Sequence, residues 1–232
     1  MKKLFAAMAA IAMAVSLTAC GGGVTSFDAT SYMQGLMDET YLGVFSEDYM
    51  KSVDITEEEA QETYETGLET EYYYFSQAFE FDDDYVSDES HQAVIDLLAE
   101  IYQHSKYEVK PATKLENGFA VEIIVEPIDI IPLIIEEYME QFNDDFNDLY
   151  SDMTQEKLDA MSDAEYDDFW TEYENNWVMG IVDLFHEHME ELGHLSAESI
   201  IVQFKKDSDG YYGISDTDFS NLDALVLAYN YR

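Results

Sequence analysis

His186-Glu187-His188-Met189-Glu190, with His194 beyond it, holds the residue types best suited to a metal site in this chain. A zinc-protease helix places two histidines at i and i+4 with a glutamate between them. Here His186 and His188 are two apart and point to different sides of a helix. His186, Glu190 and His194 do share a face, at i, i+4 and i+8, but that span is about 12 Å along the axis. Zinc needs every ligand near ~2 Å, so at most two of the three can serve together. A solvated helix end, where a partly protonated histidine suits the dipole, accounts for the pattern, and no metal ligand is expected.

Asp207-Ser208-Asp209-Gly210 and Asp216-Thr217-Asp218 invite a calcium reading, yet the EF-hand spacing is absent. Asp and Gly are ordinary hairpin-turn residues. Weak Ca²⁺ or Mg²⁺ association somewhere on 51 acidic groups is expected, but no resident cofactor is. Tyr72-Tyr73-Tyr74-Phe75, with Trp170 and Trp177, could form a stacking surface for sugars or peptides. Four consecutive aromatics cannot share one helix face, so at least one should stand outside the core. The two tryptophans, seven apart, fall on a stripe expected to be buried. No Gly-x-Ser-x-Gly elbow and no glycine-rich phosphate loop occurs. Carboxylate pairs of the kind a glycosidase uses are too abundant here to mark a site. No catalytic residue is expected.

The strongest motif is at the start. Lys2 and Lys3 precede an apolar run from Leu4 to Leu17, a secretory-signal pattern that is short for a span of roughly 20 residues. It ends in Leu17-Thr18-Ala19-Cys20, which resembles the lipobox of bacterial lipoproteins. The resemblance implies a diacylglyceryl group, with fatty chains such as palmitate, on the Cys20 thiol and cleavage before it. Two acyl chains hold a protein stably where one does not. A signal-anchor helix with an incidental cysteine is the competing reading. Cys20 is the sole cysteine in the sequence, so an internal disulfide is excluded. The expected organisation is a signal peptide over 1–19, a lipidated cysteine and flexible tether over 20–27, and one extracytoplasmic domain over 28–232.

The chain from Cys20 onward has 51 acidic residues against eight basic ones, Lys2 and Lys3 having gone with the signal. Such a surface excludes nucleic-acid binding, which relies on Lys and Arg. It also excludes electrostatic docking on anionic lipid, so the membrane is held through Cys20. The 47% hydrophobic content and the long periodic stretches argue for folding.

Helical spacing runs from Asp28, as cap, to about Lys51. Thr56 and Glu59 form a capping box, opening a helix whose stripe is Ala60, Tyr64, Leu68, Tyr72, Phe75 and Phe79 and which Asp82-Asp83-Asp84 breaks. A third helix is expected from about Glu89 to Gln103. The period then becomes two: Tyr107 and Val109, an Asn117-Gly118 turn of type I′, then Phe119, Val121, Ile123 and Val125 up to Pro127. Helical spacing returns after Pro132 with Ile135, Tyr138, Phe142, Phe146 and Leu149. A short helix follows Thr154, and a Ser162–Glu165 box opens a long one reaching about Gly193. Ile200, Val202 and Phe204 alternate into a second hairpin, returning at Tyr212 and Ile214, before a short terminal element. Two isolated hairpins are marginal, so they should join in one antiparallel sheet with helices packed against it, an α+β fold with more helix than strand. Lys106, Lys110, Lys114, Lys205 and Lys206 fall on those hairpins.

Three segments, Tyr32 to Tyr49, Ile101 to Asp129 and Val202 to Tyr229, resemble a group of extracytoplasmic lipoproteins of Gram-positive bacteria that share a domain of unknown function. The resemblance implies anchoring and an α+β domain, and it carries over no catalytic residue. The expected protein is a lipid-anchored extracellular lipoprotein that binds or scaffolds at the envelope, its partner a cationic peptide, a wall component or an envelope protein. The alternative is a wall-directed hydrolase using carboxylates. A transporter's solute receptor fits poorly, because such receptors are usually two-domain α/β proteins.

Overall fold

The computed structural model describes residues 24–207 and 212–230. The fold is α+β, mostly helical with one antiparallel sheet. Two compact units share the chain: one takes the residues up to Thr70, Tyr102–Ile128 and His194–Leu227, the other Glu71–Ile101, Asp129–Gly193 and the residues from Ala228 on.

In the first unit, α1 (Ser26–Leu42) starts at Thr25 rather than Asp28. Thr25 Oγ1 accepts from the Asp28 amide and the Asp28 carboxylate accepts from the Thr25 amide, so Asp28 is the third residue of a capping box. The expected single helix to Lys51 is two. Gly43 stops α1 with φ 60°, a left-handed conformation that suits glycine, and its amide donates to Glu39 O. Ser46 then caps α2 (Glu47–Val53). α3 (Glu57–Ala78) opens on the Thr56–Glu59 box and passes into the second unit after Thr70; α4 (Asp88–Tyr102), of the second unit up to Ile101, lies one residue from its expected position.

The two hairpins join as expected. The sheet runs β1 (Lys106–Val109), β3 (Gly118–Glu126), β4 (Glu198–Lys206), β5 (Tyr212–Gly213), with β2 (Thr113–Leu115) also paired to β3. Val109 faces Ile123 and Thr113 faces Ala120, so the β1–β2 side carries one residue more than β3. The bulge sits at Pro111, which has no N–H to give a ladder, and Ala112 N turns away to Thr30 Oγ1 (2.8 Å). The turn is not type I′. Leu115 pairs with Gly118, so Glu116 and Asn117 form the loop, and Asn117 is not among the residues with positive φ. Gly118 instead lies against β4, where a Cβ would stand 2.3 Å from Phe204 O.

Alternation gives the sheet one covered face. Phe119, Val121, Ile123 and Val125 of β3 and Val202 and Phe204 of β4 are buried, under α1 and α9 (Asp216–Val226). The Tyr32 and Phe204 rings meet at 4.7 Å. Each such large side chain contributes about 1.5–3 kcal/mol by leaving water. Ile201, on the other face, is 63% exposed. The terminal element is thus a helix, capped by Ser215 and followed by a bridge from Leu227 to Ile128.

The second unit is helical. After α5 (Ile130–Leu133), a π-helical turn (Ile134–Tyr138) precedes α6 (Met139–Leu149). Pro132 lies within this first turn, where its missing N–H costs little. The π turn shifts the apolar face, so Ile130, Ile131, Ile134 and Phe146 are buried while Ile135 and Leu149 of the expected stripe are exposed. α7 (Gln155–Asp159) follows Thr154, and α8 (Asp163–His188) opens on the Ser162–Glu165 box. Phe75, Phe79 and Phe185 form the centre of this core, with ring centroids 4.5–5.4 Å apart.

With few cations available, tyrosine hydroxyls donate to carboxylates inside both units. In the first these are Tyr41 to Asp223 (2.9 Å), Tyr49 to Glu39 (2.8 Å) and Tyr107 to Asp38 (2.6 Å). In the second they are Tyr72 to Asp83 (2.8 Å), Tyr138 to Glu191 (2.8 Å) and Tyr229 to Glu71.

Candidate functional site

Cys20, its lipobox and the residues to Gly23 lie outside the described residues, as do Ser208, Asp209 and Gly210 of the acidic turn. Asp218 is spent within the fold: its carboxylate accepts from Gln203 N at 3.1 Å, and its amide donates to the cap Ser215. The His186–Glu190–His194 set is not brought together around one point. His186 Nε2 lies 3.4 Å from a Glu100 carboxylate oxygen, and His194 Nε2 is 2.9 Å from His104 O, with Lys106 Nζ 3.2 Å from its Nδ1. His188 stacks on Tyr138 at 3.5 Å, and its Nδ1 is 2.7 Å from Glu191. Among the described residues no three His, Cys, Asp or Glu side chains are grouped to hold a metal ion.

In the first unit a groove of about 530 Å³ opens between α1 and the β1 edge. Leu42 and Ile124 supply its apolar lining, and Asp38, Glu108, Glu126 and Lys106 its charges. Asp38 already accepts from Tyr107 Oη and from Gln34 Nε2 (2.8 Å), and Glu108 is ion-paired with Lys110 at 2.6 Å. Behind α1 lies a carboxyl that sequence reasoning missed. Glu39 is 1% exposed, with Oε2 accepting from Tyr49 and Oε1 buried without a hydrogen-bond partner. Burial pushes it up to about 7, against the Tyr49 hydrogen bond, which pulls it down. Burial likewise raises Tyr49 and Tyr32, and the Glu39 charge adds to both. Tyr49 reaches Glu39 because α2 packs closely on Gly35, where a Cβ would stand 2.3 Å from the Tyr49 ring. The signal was there: Tyr32, Gly35 and Glu39 recur at helical spacing.

In the second unit the tyrosine run divides as its spacing requires. Tyr72 and Phe75 are buried and Tyr73 is 50% exposed. Trp177 sits at the edge of the core, its Nε1 donating to Phe79 O at 2.9 Å. From it a ladder of rings, half-buried apart from the buried Phe146, runs outward between α6 and α8. Phe142 and Phe146 lie 5.1 and 5.0 Å from Trp177, Tyr150 4.7 Å from Tyr173, and Tyr173 5.2 Å from Trp170. Tyr166, 5.9 Å beyond Trp170, is 40% exposed, and Leu149 is 76% exposed. Trp170 is therefore half-buried rather than core, and its Nε1 is buried with no acceptor among the described residues. On α8, Glu174 accepts from Asp82 N (2.9 Å), and burial raises its carboxyl above the usual range.

No protein-family model matches this chain, and no curated protein matches it. Its fold is shared with a solved structure, that of a candidate lipoprotein, ycdA, from Bacillus subtilis subsp. subtilis str. 168. The two superpose with a TM-score of 0.55 at 16% identity, over 87% of this chain and 56% of that one. The chain thus spans little more than half the length of that protein, and at this identity the likeness is one of fold.

Proposed function

We propose that this chain is a lipoprotein held by a diacylated Cys20 on the outer face of a Gram-positive-type plasma membrane, and that it works there by binding rather than catalysis. The observation that carries the anchor is Leu17-Thr18-Ala19-Cys20 at the end of a short apolar run behind two lysines. The fold likeness to a candidate Bacillus lipoprotein supports it. Among the described residues, no helix is long and apolar enough to cross a membrane. The capping box at Thr25 begins the fold five residues after Cys20, at most about 18 Å of chain.

Binding is favoured over hydrolysis by the state of the carboxyls. A glycosidase-type pair needs an acid held protonated beside an ionised partner, with both open to substrate. Glu39 has the raised affinity for a proton but is sealed from solvent. In the groove, Asp38 and Glu108 are committed to Tyr107 and Lys110. The open aromatic ladder of the second unit has the shape of a contact surface instead. Intact mass of the membrane-extracted protein tests the anchor. The expected result is a diacylglyceryl adduct on a chain starting at Cys20, lost in Cys20→Ala; an unmodified, uncleaved chain overturns it.

A further inference from the structure

The aromatic ladder between α6 and α8 runs out to exposed positions, Tyr166 beside Trp170 on α8 and Leu149, next to Tyr150, at the end of α6. Its surroundings limit what can cover it. From Glu140 to Trp177 the sequence has 13 Asp and Glu against one cation, Lys157. Helical spacing puts Asp145 beside Leu149 on α6, and Asp163 and Asp167 beside Tyr166 and Trp170 on α8. These three carboxylates are exposed. A second copy would bring the same negative face against itself, and like charges in contact disfavour that pairing. An acidic or purely apolar partner would leave the carboxylates uncompensated.

Guanidinium and ammonium groups suit both features at once, because ring faces carry the negative end of the aromatic quadrupole and attract cations. Arginine adds a planar group that stacks on a ring while donating to a flanking carboxylate.

We propose that the Leu149–Tyr166–Trp170 rim is a docking surface for a basic peptide segment, its arginine or lysine side chains seated on the rings between Asp145, Asp163 and Asp167. This rests on the binding role proposed above and names its surface and the chemistry of the partner.

Trp170 and Trp177 are the only tryptophans in the sequence, so emission excited beyond the tyrosine absorption band reports on this ladder alone. The mature protein in detergent, at about 0.15 M salt to screen diffuse attraction, is titrated with an end-capped peptide alternating Arg and Ala. A saturable change in tryptophan emission is expected, with none from the matching Glu–Ala peptide. Leu149→Ala/Tyr166→Ala keeps the net charge and alters only exposed positions, and it should weaken binding roughly fivefold or more. Asp145→Asn/Asp167→Asn should weaken it likewise, while Glu57→Gln/Glu58→Gln, the same charge change on exposed α3 positions, should not. Equal affinity across these variants, a silent emission, or self-association that alters the tryptophans without peptide would each overturn the inference. A lipidated chain that ignores the peptide leaves the anchor standing, and an unlipidated chain that binds it removes the anchor and keeps the surface.

Discussion

The first unit seals the aromatic residues packed over its sheet, and the second leaves a row of them half open. Tyr32, Tyr41 and Phe204 are within 2% of full burial under α1, α9 and the sheet, and the same packing traps Glu39. In the second unit Phe75, Phe79 and Phe185 are equally buried, but along α6 and α8 Phe142, Tyr150, Phe169, Trp170 and Tyr173 are half-buried and Tyr166 is exposed. A sheet offers a broad surface on which helices can close, and a pair of helices covers only the strip between them. Residues of one type therefore serve stability in one unit and remain available for contact in the other.

Truncation should show the difference at its largest. Phe204→Ala is expected to cost about 3–5 kcal/mol, as a cavity in a closed core does. Phe169→Ala, on the half-buried ladder, is expected to cost roughly 1–2 kcal/mol, within the ordinary range for single substitutions. Urea midpoints measure both, and equal losses would erase the distinction between sealed and open rings.

A smaller effect sharpens it through pH. A carboxyl held up to about 7 when folded and near 4.5 when unfolded contributes stability below 4.5, which is lost as pH rises to 7. The loss in the wild type should be on the order of 2–3 kcal/mol across that window, and Glu39→Gln should flatten this part of the profile. The many other carboxylates act on both chains alike, so the difference between the two profiles isolates Glu39; identical profiles would mean that it is ionised in the fold. The smallest effect is Tyr107→Phe, which removes the donor to Asp38 at the groove and should cost about 1 kcal/mol. A cost near that of Phe204→Ala would show the groove to be as closely packed as the core.

Much of this architecture was readable where local chemistry decides. The Thr56–Glu59 and Ser162–Glu165 boxes and the alternation in β3 and β4 carry their own geometry, and the joined sheet follows from the cost of leaving hairpins alone. Departures came where one residue changes the register. Gly43 splits a helix whose periodicity continues past it, the π turn at Ile134–Tyr138 rotates the face of α6, and Pro111 adds the bulge. The candidate surfaces were less legible. A ladder built from α6 and α8 depends on which of their faces meet, and spacing alone put Trp170 in the core. Glu39 was hidden by its type, since a carboxylate in so acidic a chain reads as surface.

The tyrosine–carboxylate links have one more consequence. An ion pair between exposed side chains weakens as dissolved salt screens it. A phenol donating to a carboxylate brings no opposite charge to be screened, so Tyr41–Asp223, Tyr49–Glu39 and Tyr72–Asp83 should persist in brine. Salt meanwhile relieves the mutual repulsion of 51 acidic groups. A protein wired in this way should gain firmness as its surroundings become saltier.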